Sequence, residues 1–153
     1  MGSDEGEGGS VLQSDGDLMI QAKKDIQNIG KSIEAKRGLW LEAGNNIVND
    51  QGTLKSGDVM SLTAGNSLIN KSSQDGAQIA MIQVGSDLVV DVKQNIINTA
   101  AKIDVKRNAW MQAGNDIVLD GVSNTTVAQG GNKTTTKTNF IGSSIDVGGN
   151  LGM

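Results

Sequence analysis

Apolar and polar residues alternate in short bursts along this chain. Leu18-Met19-Ile20-Gln21-Ala22, Leu39-Trp40-Leu41-Glu42-Ala43 and Ala109-Trp110-Met111-Gln112-Ala113 each set every second side chain on one apolar face. That is the period of a strand with one side buried. Gly-Asn or Lys-Asp corners cut each burst short, and no stretch keeps the helical period of about 3.6 residues long enough for a stable helix. The pattern predicts strands over Leu18 to Ala22, Ile26 to Ile29 and Ser32 to Ala35, with turns at Lys23-Lys24-Asp25, Gly30-Lys31 and Lys36-Arg37-Gly38.

The chain also matches itself without gaps at an offset of 70, pairing Asp17 to Asp50 with Asp87 to Asp120. Trp40 and Trp110, Lys36-Arg37 and Lys106-Arg107, and Gly44-Asn45 and Gly114-Asn115 are among the coincidences. A shorter period lies inside it, because the apolar pattern starting at Leu18 returns at Leu39, Val59, Leu88 and Ala109, with spacings of 21, 20, 29 and 21. One unit is therefore about 21 residues, with one polar insertion near 72–78 around Ser72-Ser73-Gln74-Asp75-Gly76. Units this short cannot enclose a core alone and must stack on neighbours. Strand periodicity and this repeat together predict an all-β fold, a parallel β-helix whose coils pair in parallel about 4.8 Å apart. Leucine-rich repeats share the period, but their LxxLxL spacing is absent.

Composition agrees with thin, repeated layers. Of the 153 residues 37% are hydrophobic but only 2% aromatic, so burial must come from Ile, Val, Leu and Ala. There is no Pro against 21 Gly, which leaves the corners to Gly, Asn, Asp and Ser. A net charge of -4 without a dense basic cluster speaks against a nucleic-acid partner. Residues 1–10 lack the basic start and apolar stretch of a secretory signal and read as a flexible acidic leader or cloning scar. Residues 11–153 then form the repeat segment, with a Thr-rich element at 124–140.

Three phrases, Leu41 to Asn49, Ser56 to Asn70 and Met111 to Leu119, each carry Ala-Gly-Asn ahead of an apolar pair and resemble the repeats of the filamentous haemagglutinin family. The tail from Lys133 to Leu151, with Gly142-Ser143-Ser144-Ile145 and Gly148-Gly149-Asn150, is similar to the second haemagglutinin-repeat region of contact-dependent growth-inhibition effectors. The resemblance covers Val11 to Met153. It implies a right-handed parallel β-helix, export through a two-partner secretion pore in the outer membrane, and a filament at the bacterial surface. It also implies a role in adhesion, or in toxin delivery across a target cell's outer membrane. A cell-surface receptor, an outer membrane or a sister filament would be the partner. Neither a secretion domain nor a toxin is recognisable here, so adhesin and toxin carrier both remain open.

The corners Gly44-Asn45, Gly65-Asn66, Gly114-Asn115 and Gly149-Asn150 read as structural, with Gly supplying positive φ and the Asn side chains stacking in an amide ladder. With Leu39, Leu41 and Ala43 inward, Met19, Trp40, Met60, Val89 and Trp110 are expected outward, in one exposed column. Such a stripe marks a contact surface, unless a flanking loop such as the Thr-rich tail covers it. Lys36-Arg37, Lys106-Arg107, Lys23-Lys24 and Lys93 lie at corners, where a basic edge could meet an anionic glycan or headgroup, or simply be solvated. Without His or Cys, the usual base, thiol nucleophile and imidazole ligand are missing, and no cofactor, metal or catalytic residue is assigned. Asp50 and Asp120 occupy equivalent positions and read as turn formers. Other readings are a spike β-helix of a phage-like injection machine, expected to be trimeric, and a carbohydrate-active β-helix enzyme using paired carboxylates. Exposed coil ends could also drive oligomerisation.

Overall fold

A computed structural model describes residues 11–130 and 133–153, and the side chains of 12–123 and 140–153. The leader expected at 1–10 lies outside the described residues. After β1 (Val11–Ser14), the first coil runs β2 (Leu18–Ala22), β3 (Ile26–Ile29) and β4 (Ser32–Ala35). The second has β5 (Leu39–Ala43), β6 (Ile47–Asp50) and β7 (Thr53–Ser56), and the third β8 (Met60–Ala64), β9 (Leu68–Lys71) and β10 (Met81–Val84). The fourth follows with β11 (Leu88–Val92), β12 (Ile96–Thr99) and β13 (Lys102–Val105). The fifth begins with β14 (Ala109–Ala113) and β15 (Ile117–Asp120), then leaves the stack as a hairpin of β16 (Val122–Gly130) and β17 (Lys133–Ile141). It returns as β18 (Ser144–Val147), and β19 (Leu151–Gly152) starts a further turn.

Equivalent strands pair in parallel, in order β1-β4-β7-β10-β13-β18 (sheet I), β2-β5-β8-β11-β14-β19 (sheet II) and β3-β6-β9-β12-β15 (sheet III). The chain is a parallel β-helix. The strands of the inner coils pair their backbone groups with the rungs above and below, which is how an apolar interior only a few side chains wide avoids orphaned amides.

Register follows from the alternation. Leu18, Leu39, Met60, Leu88 and Ala109 stack in one inward column of sheet II. Ile20, Leu41, Leu62, Val90 and Met111 form the next, and from the second rung upward both columns are closed to solvent. The coil start expected at Val59 lies instead at Met60, and this corrects the register by one residue. The sequence similarity of Asp58-Val59 to Asp17-Leu18 favours the slipped alignment. Packing rejects it: inward Val59 would bring Ser61 and Thr63 into the core and push Leu62, fully buried here, into water.

Sheet III holds a polar feature inside the core. Asn28, Asn49, Asn70 and Asn98 stack inward on successive rungs, each at most 4% exposed. Their amides form a chain: Asn28 Nδ2 donates to Asn49 Oδ1 at 2.8 Å, Asn49 to Asn70 at 2.8 Å, and Asn70 to Asn98 at 2.7 Å. The second proton of Asn28, Asn49 and Asn98 goes to the carbonyl three residues on, of Lys31, Gly52 and Ala101. The amides thus serve both the ladder and the corner from sheet III to sheet I.

That corner needs left-handed backbone. Gly30 has φ 64, Gln51 φ 60 and Ala100 φ 51, all in one column. It is also where both insertions leave. Residues 72–80 join β9 to β10, where Gln51 and Gly52 suffice one rung earlier, and the hairpin occupies the same corner of the fifth coil. Ser72 seals the first opening: its hydroxyl donates to the carbonyl of Ala100 at 2.7 Å and accepts from the amide of Ala80 at 2.8 Å.

Candidate functional site

The Gly-Asn corners behave differently from the sequence-based expectation. Gly44, Gly65, Gly114 and Gly149 do not have positive φ, which among the described glycines is confined to Gly30 and Gly76. Close approach demands them instead. A Cβ on Gly44 would sit 2.1 Å from the carbonyl oxygen of Lys23, and one on Gly65 or Gly114 would sit 2.2 Å from that of Gly44 or Lys93. Gly149 belongs to another corner, between sheets I and II, where its Cβ would meet Asn108 Oδ1 at 2.5 Å.

Nor do Asn45, Asn66, Asn115 and Asn150 form the expected ladder, because their side chains stand at the turns and do not bond to one another. Asn45 Nδ2 donates to Asp25 Oδ1 at 2.9 Å and Asn115 Nδ2 to Asn95 Oδ1 at 3.1 Å, while Asn66 and Asn150 join neighbouring rungs through their backbone amides. The cross-rung acceptors are the residues next to them. Asp25 Oδ1 accepts the amide of Asn46, Asn46 Oδ1 that of Ser67, Ser67 Oγ that of Asn95, and Asn95 Oδ1 that of Asp116. Asp17, Asp87 and Asn108 cap the other corner in the same way, towards Gly38, Asn108 and Asn150. Most repeated polar side chains thus hold rungs together.

The outer face of sheet II is where side chains are left for contact. Its first outward column is Met19, Trp40, Ser61, Val89 and Trp110. Met19 is 62%, Val89 44% and Trp110 53% exposed. Met60, expected in this column, is 1% exposed and stacks between Leu39 and Leu88; Ser61 takes its place. Trp40 is half-buried because its six-membered ring rests on Gly38, where a Cβ would come within 2.3 Å of it. The ring of Trp110 abuts Gly152 in a similar way. The second outward column is polar: Gln21, Glu42, Thr63, Asp91 and Gln112, with Gln21 Nε2 donating to Glu42 Oε1 at 2.9 Å. Neither column contains a Lys or Arg. Around Trp110, a shallow hollow of about 460 Å³ is lined by Val89, Leu151, Asp87, Asn108 and Asn150.

The Thr-rich element, where it is described, leaves from the opposite corner. Its base meets the 72–80 loop, with Gln74 Nε2 donating to the carbonyl of Ser123 at 3.3 Å and Ile141 against Gly76. A second outward apolar column escaped the sequence reading. Val48, Ile69, Ile97 and Val118 follow one another on sheet III, half-buried except for Val118. The signal was present as an apolar residue after the inward Ile or Leu of each middle strand, but it reads as core unless strand faces are assigned.

The basic residues do not share an edge. Lys36 and Lys106 stand at the corner from sheet I to sheet II, whereas Lys23 and Lys93 stand at the corner from sheet II to sheet III. Lys36 pairs with Asp15 at 3.4 Å and Lys106 with Asp104 at 3.6 Å, both exposed pairs of little energetic weight. Asp50 and Asp120 lie three rungs apart at the ends of their strands, and Asp50 pairs with Lys71 at 3.7 Å. Among the described residues no three His, Cys, Asp or Glu side chains gather as a metal site would require. Asp75 in the insertion is held below the usual carboxylate range by the amide of Ala77 and then the hydroxyl of Ser73. The chain matches no family model, no curated protein and no solved structure.

Proposed function

We propose that this chain is a rod segment of a secreted, surface-exposed bacterial exoprotein of the filamentous haemagglutinin kind. The tail from Lys133 to Leu151 favours the region of a contact-dependent growth-inhibition effector used in toxin delivery across a target outer membrane. Its work is mechanical and adhesive: stacked rungs give length and stiffness, and outward columns give contact. One observation carries the reading. The buried amides of Asn28 to Asn98 and the corner acceptors are engaged in bonds between rungs, while apolar side chains stand outward on sheet II. That division suits a rod that touches other surfaces along its length.

The test is binding of the purified, fluorescently labelled chain to intact Gram-negative cells, with its mass in solution measured by light scattering. Saturable binding by a monomer is expected. A stable trimer that ignores cells would favour an injection-machine spike instead.

A further inference from the structure

The outer face of sheet II has more chemistry than an unspecified contact surface needs. Trp40 and Trp110 stand in one column, three rungs apart, with Ser61 and Val89 between them. At the spacing of parallel strands this separates their Cα atoms by about 14 Å along the axis. Beside them runs the column of Gln21, Glu42, Thr63, Asp91 and Gln112, which offers one amide, hydroxyl or carboxylate group per rung. The carboxylates of Glu42 and Asp91 and the absence of any cation from both columns make the face unfavourable to an anionic ligand.

Resting on the adhesive reading above, we infer that this face binds a neutral, extended polysaccharide laid along the β-helix axis. Trp40 and Trp110 are its two stacking platforms, and the Gln21-to-Gln112 column hydrogen-bonds its hydroxyls. A sugar ring has an apolar face of axial C–H groups and a rim of hydroxyls, so it fits an indole with polar side chains alongside. A β-1,4-linked chain advances by roughly one rung per sugar. Its rings can therefore keep step with the strands, and since successive sugars are turned by about half a revolution, the two tryptophans three rungs apart meet opposite ring faces, each of which carries axial C–H groups. Gly38 has a part in this. The absence of a side chain there leaves room for the ring of Trp40 to settle over Gly38. A lipid surface is the main competitor, but it would want apolar residues in both outward columns, and the second is wholly polar.

The experiment is calorimetric titration of the full chain with chitohexaose and cellohexaose, with their trimers, and with a heparin-derived hexasaccharide. Hexamers that span both tryptophans should bind about tenfold or more tightly than trimers, which reach only one. The anionic hexasaccharide should not bind. Trp110→Ala should bring hexamer affinity down to trimer level. Because Trp40→Ala could also disturb packing over Gly38, Ser61→Trp is the second variant; a third platform in the same column should tighten hexamer binding. No heat with either neutral hexamer, equal affinity for trimer and hexamer, or preference for the anionic sugar would overturn the inference. If cells are bound but neutral hexamers are not, only the glycan inference falls. If hexamers bind but cells do not, the adhesive reading falls instead.

Discussion

Asn49 donates its side-chain amide to Asn70 across one rung at 2.8 Å while accepting from Asn28 at 2.8 Å and donating to the carbonyl of Gly52 at 3.0 Å. It is completely buried. Asn49→Ala would strand the oxygen of Asn70, while the Gly52 carbonyl keeps the amide of Met81 as a donor. One orphaned buried acceptor costs about 1–3 kcal/mol, and denaturant unfolding should show a loss of that order. An unchanged midpoint would mean that the ladder contributes no stability.

Met60 and Ser61 are neighbours with opposite surroundings. Met60→Ala removes buried atoms between Leu39 and Leu88 and should cost about 2–5 kcal/mol. Ser61→Ala, on the outer face, should stay within about 0.5 kcal/mol. Thermal unfolding of the pair reads the register directly, and equal losses would contradict it.

Gly65 lies where a Cβ would meet the carbonyl oxygen of Gly44 at 2.2 Å. Lys93 is the next residue up that column and does carry a side chain; its amide reaches Ala64 at 3.3 Å, against 3.0 Å from Gly65 to Ala43. Gly65→Ala should therefore lower stability by about 1–3 kcal/mol, since the rungs must part to admit it. Lys93→Gly should shift stability little, with stronger protection of the residue-93 amide in hydrogen exchange.

Gln51 pays for left-handed backbone that Gly30 adopts freely in the same column. Gln51→Gly should gain up to about 1 kcal/mol, the relieved strain outweighing the greater freedom of unfolded glycine. Gly30→Ala should lose about 1 kcal/mol. A destabilised Gln51→Gly variant would show that the hydrogen bond of Gln51 to Asp50 matters more than φ.

Asp75 Oδ1 accepts from the amide of Ala77 at 3.0 Å and the hydroxyl of Ser73 at 2.7 Å, which lowers its pKa from the ordinary 3.8. A lowered folded-state pKa favours the ordered loop above the ordinary value, and the benefit disappears as pH falls through the lowered one. Amide shifts of Ala77 should therefore move at more acidic pH than those of an unconstrained Asp. Asp75→Asn should abolish that transition and leave the coils intact.

The strands of the first coil, the near-21-residue unit and the place of the first insertion were legible because alternation and turn residues agree over Leu18 to Ala35. The register at Met60 was not. Asp58-Val59 imitates Asp17-Leu18, and only the joint burial of Met60, Leu62 and Ala64 decides between the two alignments. The outward apolar column of sheet II was partly legible, with Ser61 mistaken for Met60. The inward ladder was hidden because Asn28, Asn49, Asn70 and Asn98 look like loop residues singly, and only strand pairing places them in one column. The glycines were noticed at the right corners for the wrong cause, since close approach between rungs depends on a neighbour 21 residues away.

The corner from sheet III to sheet I carries both the 72–80 loop and the β16–β17 hairpin, while the other two corners stay short. Ser72 closes the stack beneath the first, and the hydroxyl of Ser143 lies between the carbonyls of Asn98 and Asp120, its one proton shared by both, beneath the second. Length can therefore be added on that seam without disturbing the count of rungs. The β-helix has a decorated flank and two bare ones, so appendages on a longer stack of such coils would all project to the same side, giving that stack a front and a back.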